Sequence, residues 1–301
     1  MVTGLRTSTA AGAMLVGVDT STCSRLALQW AAGAARLLDV PLHVVEAWQY
    51  PSDTVVRIGR VELPEPARAD AMLNEHLTKL VAETIGEPEG LDVTVEVVRG
   101  PTSGALLNLA AGHASMMVVG SRGVGGFRGL LIGSVSRQLC EHAPCPVTVV
   151  RHLPRDGRVR LDTIAVGVDG STHAARALAT AADIAERTGA RIVAVHAAAP
   201  GAIPDPSVQP LATSGRSLPD LLEDWCAPLH VRGLEEHESV VAEGDARTAL
   251  LDVAEERGAD LVVVGSRGLG PVSKLVLGSV ASSLIQHSHI PVTVVPRMSE
   301  H

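Results

Sequence analysis

Aromatic side chains are nearly missing from this sequence: three Trp, one Tyr and one Phe among 301 residues. Stacking on such rings is therefore disfavoured as the main device for holding bases or sugars. An excess of positive charge is missing too. Lys+Arg 25 against Asp+Glu 33 gives −8. Residues 1–150 carry 11 basic and 14 acidic side chains (−3), and residues 151–301 carry 14 and 19 (−5). Neither half is a basic arm, which argues against nucleic acid and anionic membranes as partners. No uninterrupted apolar run approaches the ~20 residues of a membrane span. Four cysteines (Cys23, Cys140, Cys145, Cys226) make no disulfide framework in a chain this long, and they fit a reducing, cytoplasmic location.

What is abundant is Ala, Val and Leu, so the core must be packed by small and β-branched side chains. At ~100–200 residues per domain, the length points to two domains, each able to bury a sizeable core. Arg6 followed by Ala10–Val16 has the outline of a short signal peptide. An internal repeat removes that reading. Val16-Gly17-Val18-Asp19-Thr20-Ser21 returns as Val166-Gly167-Val168-Asp169-Gly170-Ser171, where a signal peptide is impossible. Val118-Val119-Gly120-Ser121-Arg122-Gly123 returns as Val263-Val264-Gly265-Ser266-Arg267-Gly268, and Pro146–Val150 returns as Pro291–Val295. The order is the same in both copies, as in a tandem duplication. The expected domains are 1–150 and 163–301, with 151–162 as linker: Arg151–Asp162 has no periodicity and holds Pro154, Asp156-Gly157 and four arginines.

Within each copy, strand and helix patterns alternate. Strands are expected at Leu15–Val18, Leu42–Trp48, Asp92–Val98, Met116–Val119 and Val147–Val150. Their counterparts are Ile164–Val168, Arg191–Ala197, His237–Val241, Leu261–Val264 and Val292–Val295. Ser21 or Thr22 can cap the first helix, whose Leu26, Trp30, Ala34 and Leu37 or Leu38 share one face, as do Ala174, Leu178, Ala181 and Ala185. Further helices are expected at about 67–84 and 218–232, at 103–113 and 245–257, and from Gly133 and Gly278. Short apolar strands alternating with helices mean an α/β fold: two tandem doubly wound domains, each with a five-stranded parallel sheet. Residues 199–219 contain five prolines and cannot be one helix. That stretch, and 51–66 in the first copy, reads as a lid or a surface insertion.

The Gly-rich segment after the fourth strand is the most informative. Gly120-Ser121-Arg122-Gly123 continues through Gly125, Gly126 and Gly129 to Gly133-Ser134, a G-x2-G-x9-G-S pattern. Gly265-Ser266-Arg267-Gly268 and Gly278-Ser279 keep that spacing, although Pro271 replaces Gly126 and Lys274 replaces Gly129. Glycine allows a sharp turn and close approach of N–H groups to an oxyanion, and the helix that follows adds free N–H groups. A G-x4-G-K-[ST] loop is absent, and the first strand ends in Asp19-Thr20-Ser21 rather than a dinucleotide-type glycine cluster. Glycines that only build a long turn are the alternative, which two spaced copies make less favoured.

These three motifs, repeated once per half over nearly the whole chain, resemble the universal stress protein family in its ATP-binding branch. The resemblance implies a Rossmann-like, adenine nucleotide alpha hydrolase-like fold that takes ATP, with Mg, at up to one per domain. It implies that Asp19 and Asp169 contact the adenosine part and that Gly17 and Gly167 leave room for the purine. It implies that Gly120, Gly123, Gly133 and Ser134 hold the phosphates, as do Gly265, Gly268, Gly278 and Ser279. Ser121, Ser266 and Gly126 belong to the same loops. Arg122 and Arg267 either screen phosphate charge or are solvated. Ser136 supplies the second hydroxyl common in the family, where the second copy has Ala281. With so few aromatics, adenine would be held by strand-end backbone and aliphatic side chains. The family's closing strand mediates dimerisation, so Val147–Val150 and Val292–Val295 are expected to pair as an intramolecular pseudo-dimer; a further homodimer and an unnamed regulatory protein partner stay open.

Other constellations carry less. Cys140, His142 and Cys145 have loose zinc spacing, but Ile285 and Ile290 stand at the two cysteine positions in the second copy, which reads as core. His287 and His289 read as surface histidines, and no Ser-His-Asp set has a G-x-S-x-G context. The expected function is nucleotide-dependent regulation in a stress response. The alternatives are a slow ATPase or phosphotransferase and a scaffold for another adenylate, such as a cyclic nucleotide.

Overall fold

The computed structural model describes residues 12–49, 65–87, 89–111, 114–124, 131–154, 156–199, 217–268 and 277–297. The long segments after the second strand of each copy, including the lid reading, lie outside these residues, as does Gly126.

The first half contains β1 (Ala13–Val18), α1 (Thr22–Leu38), β2 (Leu42–Trp48), α2 (Pro66–Ile85) and β3 (Val93–Arg99). It continues with α3 (Thr102–Ala110), β4 (Ala114–Gly120), α4 (Ser134–His142) and β5 (Val147–Val150). The second half repeats this as β6 (Thr163–Gly167), α5 (Thr172–Thr188), β7 (Arg191–Ala198), α6 (Leu218–Val231) and β8 (Glu238–Glu243). It closes with α7 (Ala246–Glu256), β9 (Leu261–Gly265), α8 (Ser279–His287) and β10 (Val292–Val295). Ser21 and Ser171 cap α1 and α5, each accepting an N–H three residues on. The expected elements are present with boundaries moved by a few residues; α3 ends at Ala110, short of the expected 113.

The ten strands form one sheet in the order β3-β2-β1-β4-β5-β10-β9-β6-β7-β8. Each half is parallel throughout. The halves join where β5 and β10 pair antiparallel, Thr148 opposite Thr293. The closing strands, short and apolar, thus bury each other's edges, as expected for the pseudo-dimer. Helices cover both faces. Side chains of α1, α2, α5 and α6 pack with Met14, Val16, Ile164 and Val166 on one face. Those of α3, α4, α7 and α8 pack with Leu15, Val147, Ala165 and Val292 on the other. Both layers run across the seam, so the halves share one continuous hydrophobic interior. The segment between them is packed as well: Leu161 is buried, and Val159 lies so close to Gly33 of α1 that a Cβ there would meet it at 2.6 Å.

Cys140 and Cys145 are buried, as their apolar counterparts implied, and burial pushes both thiols up to about 12. His142, His287 and His289 are exposed.

Candidate functional site

Strand order places the site. In each half the chain leaves neighbouring strands toward opposite faces, β1 into α1 and β4 toward α4, which opens a crevice at their carboxyl ends. The register sets Val16 beside Val118 and Gly17 beside Val119, so Asp19 meets a loop a hundred residues away. β6 and β9 do the same, Val166 beside Val263. Because β5 and β10 are antiparallel, the two crevices open at opposite edges of the sheet.

Asp19 organises the first crevice. Its Oδ1 accepts the Ser21 N–H at 2.9 Å and its Oδ2 accepts the Val124 N–H at 2.9 Å. Burial pushes this carboxyl up, but hydrogen bonds from Ser21, Val124 and Ser24 outweigh it and hold the group below its usual range. Asp19 is therefore an anion that pins the start of the Gly loop to the start of α1. Asp169 Oδ1 likewise accepts the Ser171 N–H at 2.9 Å. Gly123 and Gly268 explain themselves here: a Cβ on either would overlap the Oδ2 of Asp19 or Asp169. Gly120 and Gly265 answer a different neighbour. A Cβ there would lie 2.6 Å from the Cys23 carbonyl carbon or 2.7 Å from that of His173, backbone that cannot swing aside.

The loop returns in the same way twice. Gly133 N–H donates to Ser121 O at 2.7 Å and Gly278 N–H donates to Ser266 O at 2.7 Å. Both glycines are N-caps and, like Glu65 of α2 and Pro101 of α3, give no side-chain cap, whereas Ser21, Ser171, Ser217 and Asp245 do. Among the described residues no side chain caps the first turns of α4 and α8, whose N–H groups and positive ends lie at the crevice. Ser134 and Ser279 are exposed at these ends. In the second half Gly167, Asp169, Gly265, Arg267, Gly268, Gly278 and Ser279 all line one cavity of about 450 Å³, with Val195, His196, Leu250 and Val264. That volume lies within the ~300–1,000 Å³ usual for small-molecule sites.

Some expected residues serve the loop rather than face the crevice. Ser121 and Ser266 are buried, and Ser121 Oγ turns toward Cys23 Sγ at 3.8 Å. Ser136 Oγ donates to Gly120 O at 2.7 Å. Leu106 crosses the space over Gly17, within 2.8 Å of where a Cβ would stand, while Gly167 opens on the cavity beside Leu250. Arg122 is exposed.

Several charged groups were not found from the sequence. Arg151, first residue of the expected linker, donates from Nη1 to Leu131 O at 2.9 Å and so ties down the loop's return. Burial and repulsion from Arg122 hold its guanidinium below its usual range. Pro296 is the corresponding residue in the second half. There His173 of α5 takes the place of Cys23; burial, then Arg267, Arg176 and Arg297, lower its pKa. The first crevice thus adds the Arg151 guanidinium beside its loop, while the second sets an imidazole there that burial and nearby arginines disfavour as a cation. The wall differs too. Glu46 of β2 corresponds to His196 of β7. Burial, with a smaller push from Asp19, raises the Glu46 carboxyl. His196 Nδ1 donates to Val168 O at 2.8 Å, and its ring stands edge-on to Trp225 with centroids 5.2 Å apart. The second cavity therefore has an imidazole wall that a count of Phe, Trp and Tyr does not register. The signal for both divergent pairs is the repeat itself, whose offset of 150 sets Glu46 against His196 and Cys23 against His173.

Comparison with known proteins places the chain in a family. The model of the family described as "Universal stress protein family" matches residues 12–151 and again 160–296. A universal stress protein of Mycobacterium tuberculosis is 32% identical, over 93% of this chain and 94% of its own. One from Mycolicibacterium smegmatis is 34% identical, over 94% and 96%. Among solved structures, a universal stress protein from Archaeoglobus fulgidus superposes with a TM-score of 0.70 at 24% identity, over 96% of this chain and 98% of that one, a likeness of fold. The chain belongs to the universal stress protein family and carries two of its domains in tandem.

Proposed function

We propose that each domain binds one ATP and that occupancy biases a surface read by a regulatory partner. The observation that supports this most is the pair of helix ends, α4 and α8, left without side-chain caps and facing an Asp–Gly crevice in both halves. A polyphosphate would take the first-turn N–H groups and the Ser134 or Ser279 hydroxyl. The adenosine would lie toward β1 and β2, or toward β6 and β7, where Asp169, Val195 and His196 line the cavity. These residues fit the nucleotide. Both Asp19 oxygens already accept backbone N–H groups, so a Mg ion would be carried by the phosphates. A ligand shifts an equilibrium only by its differential affinity for the two states. The partner surface is therefore expected to include the loops that ATP orders.

The test is the nucleotide released when the purified chain is denatured, together with the melting temperature with added ATP. ATP or ADP near two per chain supports the reading; free ATP at a hundred times its Kd would add ~2.7 kcal/mol per site. No nucleotide and no ATP-induced rise would overturn it. Multiple-turnover phosphate release, lost in Asp19→Ala, would assign an ATPase instead.

A further inference from the structure

Away from the crevices, three ligand-type side chains converge at the outer edge of the second half. Glu223 and His230 lie two turns apart on α6, and His237 directly precedes β8. One ligand atom from each falls within 4.8 Å of the other two. The Nε2 atoms of His230 and His237 stand 3.9 and 3.7 Å from Glu223 Oε2. The two rings meet edge to face with centroids 4.9 Å apart. The His237 side chain is only 4% exposed, and its Nδ1 lies 3.2 Å from Leu234 O. A carbonyl only accepts, so Nδ1 carries a proton, and in the neutral tautomer this selects, Nε2 is the nitrogen that offers its lone pair to the cluster. A backbone carbonyl that fixes tautomer and ring in this way is the usual support of a metal-ligating histidine.

We propose that Glu223, His230 and His237 form a binding site for a divalent transition-metal ion of the Zn(II) type. Two imidazoles and a carboxylate suit Zn(II) better than Mg(II) or Ca(II), which take oxygen ligands. Zn–ligand bonds of ~2.0–2.2 Å place neighbouring tetrahedral ligands roughly 3.4 Å apart. The two imidazole–carboxylate distances of 3.9 and 3.7 Å need to shorten by about half an ångström or less. Glu223 and His230, 53% and 49% exposed, are free to swing the ligand atoms, all within 4.8 Å of one another, onto an ion. The ion would tie α6 to β8 and leave its fourth position to water. The site belongs to the second half alone. His43 pairs with Thr94 and the corresponding Val193 pairs with Glu238, so Val93 stands where His237 does, and valine cannot ligate.

The experiment is a Zn(II) titration of the EDTA-stripped, nucleotide-free chain against a chromophoric chelator, with Co(II) as a spectroscopic substitute. One Zn(II) per chain is expected, unaffected by excess Mg(II), with the visible absorption of four-coordinate Co(II). His230→Ala and Glu223→Gln, both at exposed positions, are each expected to weaken binding by tenfold or more, and His142→Ala to leave it unchanged. His237→Ala is read beside its melting curve, since that ring is buried. Equal Zn(II) affinity in wild type and the Glu223→Gln/His230→Ala double variant would overturn the site. So would displacement of Zn(II) by excess Mg(II), which would mark an unselective carboxylate contact rather than a site built on two imidazoles.

Discussion

The hydroxyls of Thr148 and Thr293 meet at 2.8 Å on the seam between β5 and β10, both fully buried. Thr148 also reaches Met116 Sδ at 3.2 Å, so its proton has a second acceptor. Each threonine satisfies its own counterpart, and losing Thr293 leaves Thr148 only the weak thioether acceptor of Met116 in a dry place. Thr293→Val is expected to cost about 1–2 kcal/mol. Thr148→Val/Thr293→Val together should cost less than the sum of the singles. A double-mutant cycle on urea midpoints reads the coupling; strict additivity would show that the hydroxyls do not depend on each other.

Gly120 and Gly123 are three residues apart yet answer to different neighbours, so their alanine variants should fail differently. Gly120→Ala drives a Cβ into the backbone of Cys23 and should lower stability by about 1–3 kcal/mol. Gly123→Ala collides with the Asp19 carboxylate at an exposed loop, and should spare the melting temperature. Its effect should fall on the ligand: on the proposed function, calorimetric titration with ATP should show one site where two are expected of the parent. Gly268→Ala should silence the other site. Equal loss of both sites by either variant would contradict independent crevices.

Glu46 gives the first half a pH dependence of its own. Its folded pKa is raised, so its contribution to stability is complete below the ordinary carboxylate range and disappears as pH rises through the raised value. Asp19 has the opposite sign: its pKa is lowered, and its contribution is present above the ordinary carboxylate range and lost as pH falls through the lowered value. Glu46→Gln is therefore expected to melt higher than the parent at neutral pH, with the gap narrowing toward acid. Melting curves from pH 4 to 8 check the slope. A gap that widens toward acid would mean that Glu46 is stabilised as an anion.

The thiols offer a simple check of the interior. Burial pushes Cys140 and Cys145 up to about 12 and Cys226 to about 11, so all three are neutral and covered at neutral pH. Cys23 is only partly buried. A thiol reagent at pH 7.5 should label Cys23 alone in the native chain and all four after denaturation, read by peptide mass. Fast labelling of Cys140 would show that α4 opens readily.

Much of this architecture is legible in the residues because both copies state it. The Val-Gly-Val-Asp and Gly-Ser-Arg-Gly repeats fix which segments are strands, and Ser21 and Ser171 mark helix starts by chemistry that needs no tertiary information. Asp19 with Gly123 was legible as a site but not as a contact, since only the β1–β4 register brings them together. Ser136 and Ser121 show the limit of motif reasoning. A hydroxyl at a helix start serves a ligand or a carbonyl equally well, and here the Gly120 carbonyl takes the Ser136 proton. Arg151, Glu46, His173 and His196 escaped because their roles depend on packing across the crevice rather than on local pattern.

The antiparallel seam also changes how the two sites can diverge. In a symmetric homodimer every substitution appears twice, so an improvement in one site is imposed on the other. Here both copies lie on one chain, and a codon change reaches one crevice only. Glu46 opposite His196, Cys23 opposite His173 and Val93 opposite His237 are such one-sided changes. Thr148 and Thr293, which face each other at the pseudo-twofold axis, are still alike. Pairing of the halves is a step within one molecule, so the melting temperature should not depend on protein concentration. A duplicated gene has thus kept the symmetry of a dimer at its axis and in the Asp–Gly loops, and released it in the side chains around them.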